Sequence, residues 1–166
     1  MRVMSYRKGA DTGIAVARGD GWADLGAANL LAVLAGDHAG AADTAPELDL
    51  AGVTPALPLA RPGKIICVGL NYADHTAESP YGQPNYPTLF PRFTTSLIPD
   101  GALIVRPRVS QDLDFEGEVV AIIGKAGRHI ARDKALEHVA GNSIFNDGSL
   151  RDYQFKSPQW TVGKNF

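Results

Sequence analysis

The chain has 166 residues, 45% of them hydrophobic and 20% charged, and its 16 Lys and Arg against 18 Asp and Glu leave a formal charge of −2. That length suits one domain, or one with a small appendage, at roughly 150 residues per domain, and the charge balance excludes the basic footprint of a nucleic-acid binder and a polybasic membrane anchor. The single cysteine, Cys67, excludes an internal disulfide and a Cys-rich zinc site.

Met1–Gly9 has no apolar stretch of signal-peptide length. The most apolar helical window, residues 25–35, is far short of the ~20 residues that span a bilayer. A cytoplasmic protein with neither nucleic-acid nor membrane partners is expected. Eighteen glycines and eleven prolines spread along the chain point to many turns and a strand-rich fold.

In chain order, residues 13–18 read as a strand and Gly19-Asp20-Gly21 as a tight turn, since Gly and Asp accept positive φ at low cost. Leu25, Leu30, Leu31, Val33 and Leu34 fall at helical spacing, with Gly36 as the stop. Residues 36–62, rich in Ala, Pro, Asp and Thr, read as a surface linker closing a small N-terminal domain over residues 1–60. The remainder, 61–166, is the second domain. Lys64–Gly69 is a short apolar run bounded by turn residues, the pattern of a strand buried on both faces, with Cys67 a core residue. Asn71–Glu78 reads as a short polar helix ending at Ser79-Pro80. A loop through Tyr81, Tyr86 and Pro87 follows, then strands at 88–90, 102–105 and 113–123, a turn at 124–127, a helix over 134–140 and a strand at 143–147.

Three groupings could carry chemistry. The first is Asp114-Phe-Glu116-Gly-Glu118, followed by Val119–Ile123. Alternation puts Asp114, Glu116, Glu118, Val120 and Ile122 on one face, and an all-apolar set on the other. Carboxylates two residues apart lie ~7 Å from one another and repel by only about half a kcal/mol in open water, so a solvated edge is the ordinary alternative. The apolar continuation of both faces instead suggests a central strand whose carboxylates enter a pocket, where they need cations. Asp147, at the end of another strand, offers a third oxygen donor. Three carboxylates without Cys or clustered His describe a hard-cation site for Mg²⁺ or Mn²⁺. The second grouping is His75 with Glu78, neighbours on a helix: a carboxylate that tunes a general base, or an exposed pair of small energetic weight. The third runs through Asp147, Arg151, Gln154 and Lys164, donors suited to a carboxylate- or enolate-bearing substrate, though also an ordinary polar loop. Arg92 is a further anion contact or a surface arginine. His38, His129 and His138 read as surface residues. No serine sits in a nucleophile elbow and no phosphate-binding glycine loop is present.

Taken in order, Lys64-Ile-Ile-Cys-Val-Gly-Leu-Asn-Tyr-Ala-Asp-His75, Leu113-Asp-Phe-Glu-Gly-Glu118, Asn146-Asp-Gly-Ser-Leu-Arg-Asp152 and Gly163-Lys-Asn-Phe166 resemble the fumarylacetoacetate hydrolase family, from about Pro58 onward. The sequence looks most like members acting on acylpyruvates and related 2-oxo acids. The resemblance implies an α+β, mainly β fold: a mixed β-sandwich or roll catalytic domain behind the small N-terminal one, in a homodimer. It implies a Mg²⁺ (or Mn²⁺ or Ca²⁺) on Glu116, Glu118 and Asp147, with His75 as general base and Glu78 as its partner on a lid-like helix. Lys164 would join them as a catalytic cation, with Arg151, Gln154, Arg92 and Tyr72 binding substrate. The expected activity is hydrolysis of a C–C bond beside a 1,3-dicarbonyl in catabolism. The alternatives are isomerisation, decarboxylation or hydration of a 2-oxo or 2-hydroxymuconate-type acid, or an inactive truncated module. Two departures are visible. Arg92 stands where many relatives carry lysine, and the chain stops at Phe166 where relatives continue. A further segment or a partner chain is therefore expected to cover open sheet edges.

Overall fold

The computed structural model describes residues 1–38, 40–78 and 82–166, apart from the side chains of His75 and Glu78. The chain forms two compact units. One comprises Met1–Ala60, Ile98–Leu103 and Gly117–Phe145, and the other Arg61–Leu97, Ile104–Glu116 and Asn146–Phe166.

The first unit opens with β1 (Val3–Lys8), β2 (Asp11–Arg18) and β3 (Gly21–Asp24), followed by α1 (Leu30–Ala35), α2 (Ala41–Thr44) and β4 (Val53–Pro55). The four strands make an antiparallel sheet in the order β3-β2-β1-β4. Alternation along β2 sends Ile14 and Val16 to one face, where they bury with Leu30 and Val33 of α1, and Ala15 to the other, with Tyr6 and Leu48. Burying each such aliphatic side chain contributes about 1.5–3 kcal/mol. Tyr6 keeps its hydroxyl satisfied by donating to Asp24 Oδ1 at 2.7 Å. Burial, together with that carboxylate, pushes its pKa up to about 12.

Two expectations fail in this part. The helix foreseen over 25–35 begins only at Leu30, because Asn29 caps it, its Oδ1 accepting from the N–H groups of Leu31 and Ala32. Gly36 ends it as expected, in the left-handed region at φ 92°. The stretch 36–62 is also more than a linker. β4 extends the sheet, and Arg18 donates to the carbonyls of Ala42 and Ala45 at 2.8 Å, anchoring α2.

Next come β5 (Ile65–Gly69), α3 (Ala73–Glu78), β6 (Thr88–Arg92) and β7 (Leu113–Asp114). Among the described residues β5 pairs with β6 in a two-stranded sheet, and one of its faces is open: Cys67 is buried with Phe90 and Trp160, while Ile66 is 60% exposed. α3 is fastened by Thr76, whose Oγ1 donates to the carbonyls of Tyr72 and Leu70. The helix stop read at Ser79-Pro80, and Tyr81 after it, lie outside the described residues. Residues 102–105 form no strand.

The strand expected over 113–123 is broken. β7 is separate from β8 (Gly117–Ile123), and β8 pairs with β9 (Val139–Asn146) in a two-stranded sheet, so it is not central. At the break side chains replace ladder bonds: Asp114 Oδ1 accepts from Phe115 N–H at 2.9 Å, and Asn146 Oδ1 from Glu116 N–H at 3.1 Å. Alternation survives within β8, where Glu118, Val120 and Ile122 are more buried than Gly117, Val119, Ala121 and Ile123. The helix read at 134–140 is a 3₁₀ segment, Arg132–His138, and residues 139–140 already belong to β9. The chain closes with β10 (Ser149–Leu150), which pairs with β7, then α4 (Arg151–Gln154) and α5 (Thr161–Lys164).

Candidate active site

Asp147 leaves β9 directly after its last residue. Its N–H donates to Glu116 O at 2.9 Å while Glu116 N–H donates to the neighbouring Asn146 side chain, so Glu116 is docked on this turn by its own backbone. Asp147 is fully buried, and each of its oxygens accepts from a cation. Arg92 Nε donates to Oδ1 at 2.5 Å and Lys164 Nζ to Oδ2 at 2.7 Å. Arg92 also donates to Gly148 O at 2.6 Å, and Lys164 to Glu116 Oε2 at 3.0 Å. On the other side of Glu116, Arg151 NH1 reaches Oε1 at 2.5 Å. Arg151 donates further to Asp114 Oδ2 at 2.8 and 2.9 Å and to Gln154 Oε1 at 2.8 Å. Ser149, buried, turns its hydroxyl to Asp147 O at 2.8 Å and lies 3.3 Å from Glu116 Oε1.

Burial of this kind is costly unless charges are matched. Lys164 is only 2% exposed, and the two carboxylates take two of its three N–H donors. Its ammonium also lies 5.1 Å from the centre of the Phe90 ring. Burial pushes Glu116 towards the neutral acid, but the charges and hydrogen bonds of Lys164 and Arg151 outweigh it and hold its pKa below the ordinary carboxylate value. Burial likewise works against charge on Arg151, and the Asp114 and Glu116 carboxylates overcome it, raising its pKa.

Local sequence explains how Lys164 arrives there. A Cβ on Gly163 would stand 2.5 Å from Gln154 N, 2.7 Å from Gln154 Cα and 2.8 Å from Leu150 O. Only glycine lets α5 approach the backbone of α4 this closely, and the next residue then projects onto Asp147 and Glu116.

The donor set suits a divalent ion. One carboxylate oxygen from each of Glu116, Glu118 and Asp147 lies within 4.8 Å of the others. All three offer the hard oxygen atoms that Mg²⁺, Mn²⁺ and Ca²⁺ require, and the oxygens of Glu116 and Asp147 that face cations keep a further lone pair.

Seven of the expected site residues thus come together: Glu116, Glu118, Asp147, Lys164, Arg92, Arg151 and Gln154. Arg92 is buried against Asp147, not a surface arginine. Tyr72 is 44% exposed just before α3. His75 and Glu78 fall on α3, and their side chains lie outside the described residues. Sequence reasoning missed Ser149 and the pairing of Asp114 with Arg151. The β7–β10 register, which sets Ser149 opposite Asp114, joins residues 35 apart and leaves no periodic trace.

The C-terminal domain of fumarylacetoacetate (FAA) hydrolase matches residues 64–166. The human mitochondrial oxaloacetate tautomerase is 40% identical over 123 residues, covering 73% of this chain and 39% of that protein. An uncharacterised protein of Methanocaldococcus jannaschii is 43% identical over 106 residues, 64% of this chain and 45% of its own. Among solved structures, the fumarylacetoacetate hydrolase of Exiguobacterium antarcticum superimposes with a TM-score of 0.80 at 32% identity, covering all of this chain and 62% of that one. The 5-carboxymethyl-2-hydroxymuconate delta-isomerase of Mycobacterium smegmatis does so with 0.79 at 26% identity, again over 62% of its length. The chain therefore spans less than half of these two sequence relatives and about three fifths of the solved chains. Its α+β, mainly β class is the one expected, and among the described residues no helix is long and apolar enough to cross a membrane. With these four motifs, this acidic cluster and this fold, the chain belongs to the fumarylacetoacetate hydrolase family.

Proposed function

We propose that the protein catalyses keto–enol tautomerisation or isomerisation of a 2-oxo acid with the help of a divalent cation. The observation that carries this is the reciprocal gripping of Asp147 and Glu116 by buried Lys164 and Arg92 and by half-buried Arg151. It sets two carboxylates against fixed positive charge, which keeps Glu116 ionised, and preorganised charge of this kind is the environment in which an oxyanion is stabilised without reorganisation. Glu116, Glu118 and Asp147 would hold the ion, Mg²⁺ first and Mn²⁺ or Ca²⁺ as substitutes, which supplies Lewis-acid polarisation of the 2-oxo group. Lys164 and Arg151 then offset negative charge gathering on the substrate's oxygen and carboxylate as a proton leaves the adjacent carbon. His75, steered by Glu78, is the base that carries this proton, and Tyr72, Gln154 and Arg92 orient the acid. The tautomerase and isomerase names of two relatives support this reading. We place the working form as a cytoplasmic homodimer.

Hydrolysis of an acylpyruvate C–C bond is the second reading, favoured by the 32% identity to a fumarylacetoacetate hydrolase. It adds one demand on these residues, that His75 deprotonate a water aimed at the distal carbonyl. Two assays separate the readings: decay of enol-oxaloacetate by ultraviolet absorbance, and pyruvate release from acetylpyruvate. The first is expected to be accelerated in a Mg²⁺-dependent way and to fall about a hundredfold or more in Lys164→Met, the scale on which loss of one preorganised charge-stabilising group acts. Pyruvate release with no effect on enol decay would replace it with hydrolysis. An enol decay unaffected by Mg²⁺ and by Lys164→Met, without pyruvate release, would refute both.

A further inference from the structure

Asn165, next to Lys164, makes an unusually complete set of bonds. Its Nδ2 donates to Thr161 O at 2.9 Å, closing the end of α5, and to Pro91 O at 3.3 Å on β6. Its Oδ1 accepts from Phe93 N–H at 2.7 Å and stands 3.0 Å from Ser96 Oγ, whose single proton is shared with Phe93 O at 2.8 Å. Two donors and two acceptor positions are all an amide has. The carboxamide thereby ties α5 to the stretch from Pro91 to Ser96. Those two elements carry the two cations that hold opposite oxygens of Asp147: Lys164 precedes Asn165 in the chain, and Arg92 lies between the two backbone groups, Pro91 O and Phe93 N–H, that Asn165 binds.

We infer that Asn165 is a positioning residue, a clamp that fixes Lys164 and Arg92 at their mutual distance across Asp147. It touches neither carboxylate. Its effect passes through the backbone: α5 is one turn long and has no side-chain N-cap, so a single four-residue element carries the buried lysine, and Asn165 supplies its C-terminal closure. Asp at this position would keep the bond to Phe93 N–H but set an oxygen against the carbonyls of Thr161 and Pro91, while Ala would remove all four contacts.

The inference rests on the proposed reading only in treating this cluster as the site, and its test reads the lysine's place, not turnover. The full chain in metal-free buffer is reductively methylated and the label on Lys164 is followed by peptide mass spectrometry, relative to Lys134, which is well exposed. Alkylation of buried Cys67, on β5 of the same unit, is followed in parallel. In Asn165→Ala, Lys164 is expected to label about tenfold faster or more while Cys67 keeps its wild-type rate, the pattern of a local opening. Lys164 unchanged, or Lys164 and Cys67 rising together, would overturn the clamp. If Asn165→Ala does not fold, Ser96→Ala, which removes one shared contact, is expected to speed Lys164 labelling roughly twofold, again without Cys67. No change there would overturn it equally. A variant with freed Lys164 in an enzyme showing no tautomerase activity would uphold the clamp and sink the functional reading alone.

Discussion

The sheet of the first unit and the charged cluster of the second are held by opposite means. Around β2 the buried side chains are Ile14, Val16, Leu30 and Val33, non-directional contacts in which loss of one group costs its transfer energy and a cavity. In the second unit the most deeply buried side chains are Lys164, Asp147, Ser110 and Ser149, every one polar. Each is satisfied by a named partner, Ser110 by donating to Asp152 Oδ1 at 2.6 Å. Apolar packing degrades gradually, whereas matched buried charges fail together, because removing one strands the others. A region built in the second way gives up tolerance to substitution and gains fixed charge where substrate chemistry can use it.

The largest effect that should expose this contrast is Asp147→Ala. It leaves Lys164 and Arg92 buried without their shared carboxylate, and urea unfolding should show a loss of about 3–5 kcal/mol, with divalent binding abolished. A loss well under 1 kcal/mol would mean that the cluster is hydrated and the contrast false. Leu30→Ala should cost about 2–3 kcal/mol through its cavity, and divalent affinity measured by calorimetry should stay at the wild-type value. If Leu30→Ala weakened metal binding as much as Asp147→Ala, the two regions would be one energetic system.

The smallest effect is on pH. Because the native pKa of Glu116 lies below its unfolded value, the stabilisation it brings is complete above the ordinary carboxylate pKa of 4.5 and is lost as pH falls through the lowered native value. Metal-free stability measured between neutrality and pH 3 should therefore decline on acidification less steeply in Glu116→Gln than in the wild type. Parallel curves would show that the ion pairs of Glu116 add no net stability.

The cluster was more readable in the sequence than the scaffold that builds it. Carboxylates at 116, 118 and 147 and a lysine at 164 announce themselves by residue type, and Gly36 and Cys67 by position. The strand through 113–123 did not, because its pattern stays extended while Asp114 and Asn146 take the bonds that would have continued the ladder. β1, with the sequence VMSYRK, alternates too weakly to mark a strand, and β4 is three residues long and defined only by pairing with it. Arg92 read as an anion contact or a surface residue, because a sequence does not show that residue 147 waits 55 positions away.

The most direct test of the account is a calorimetric titration of Mn²⁺ into wild type and Glu116→Gln, which keeps the side chain's shape and removes its charge. The account predicts saturable binding by the wild type and an affinity at least about tenfold lower in the variant. Equal affinities in two folded proteins, or no binding by the wild type, would contradict the assignment of these carboxylates as a metal centre.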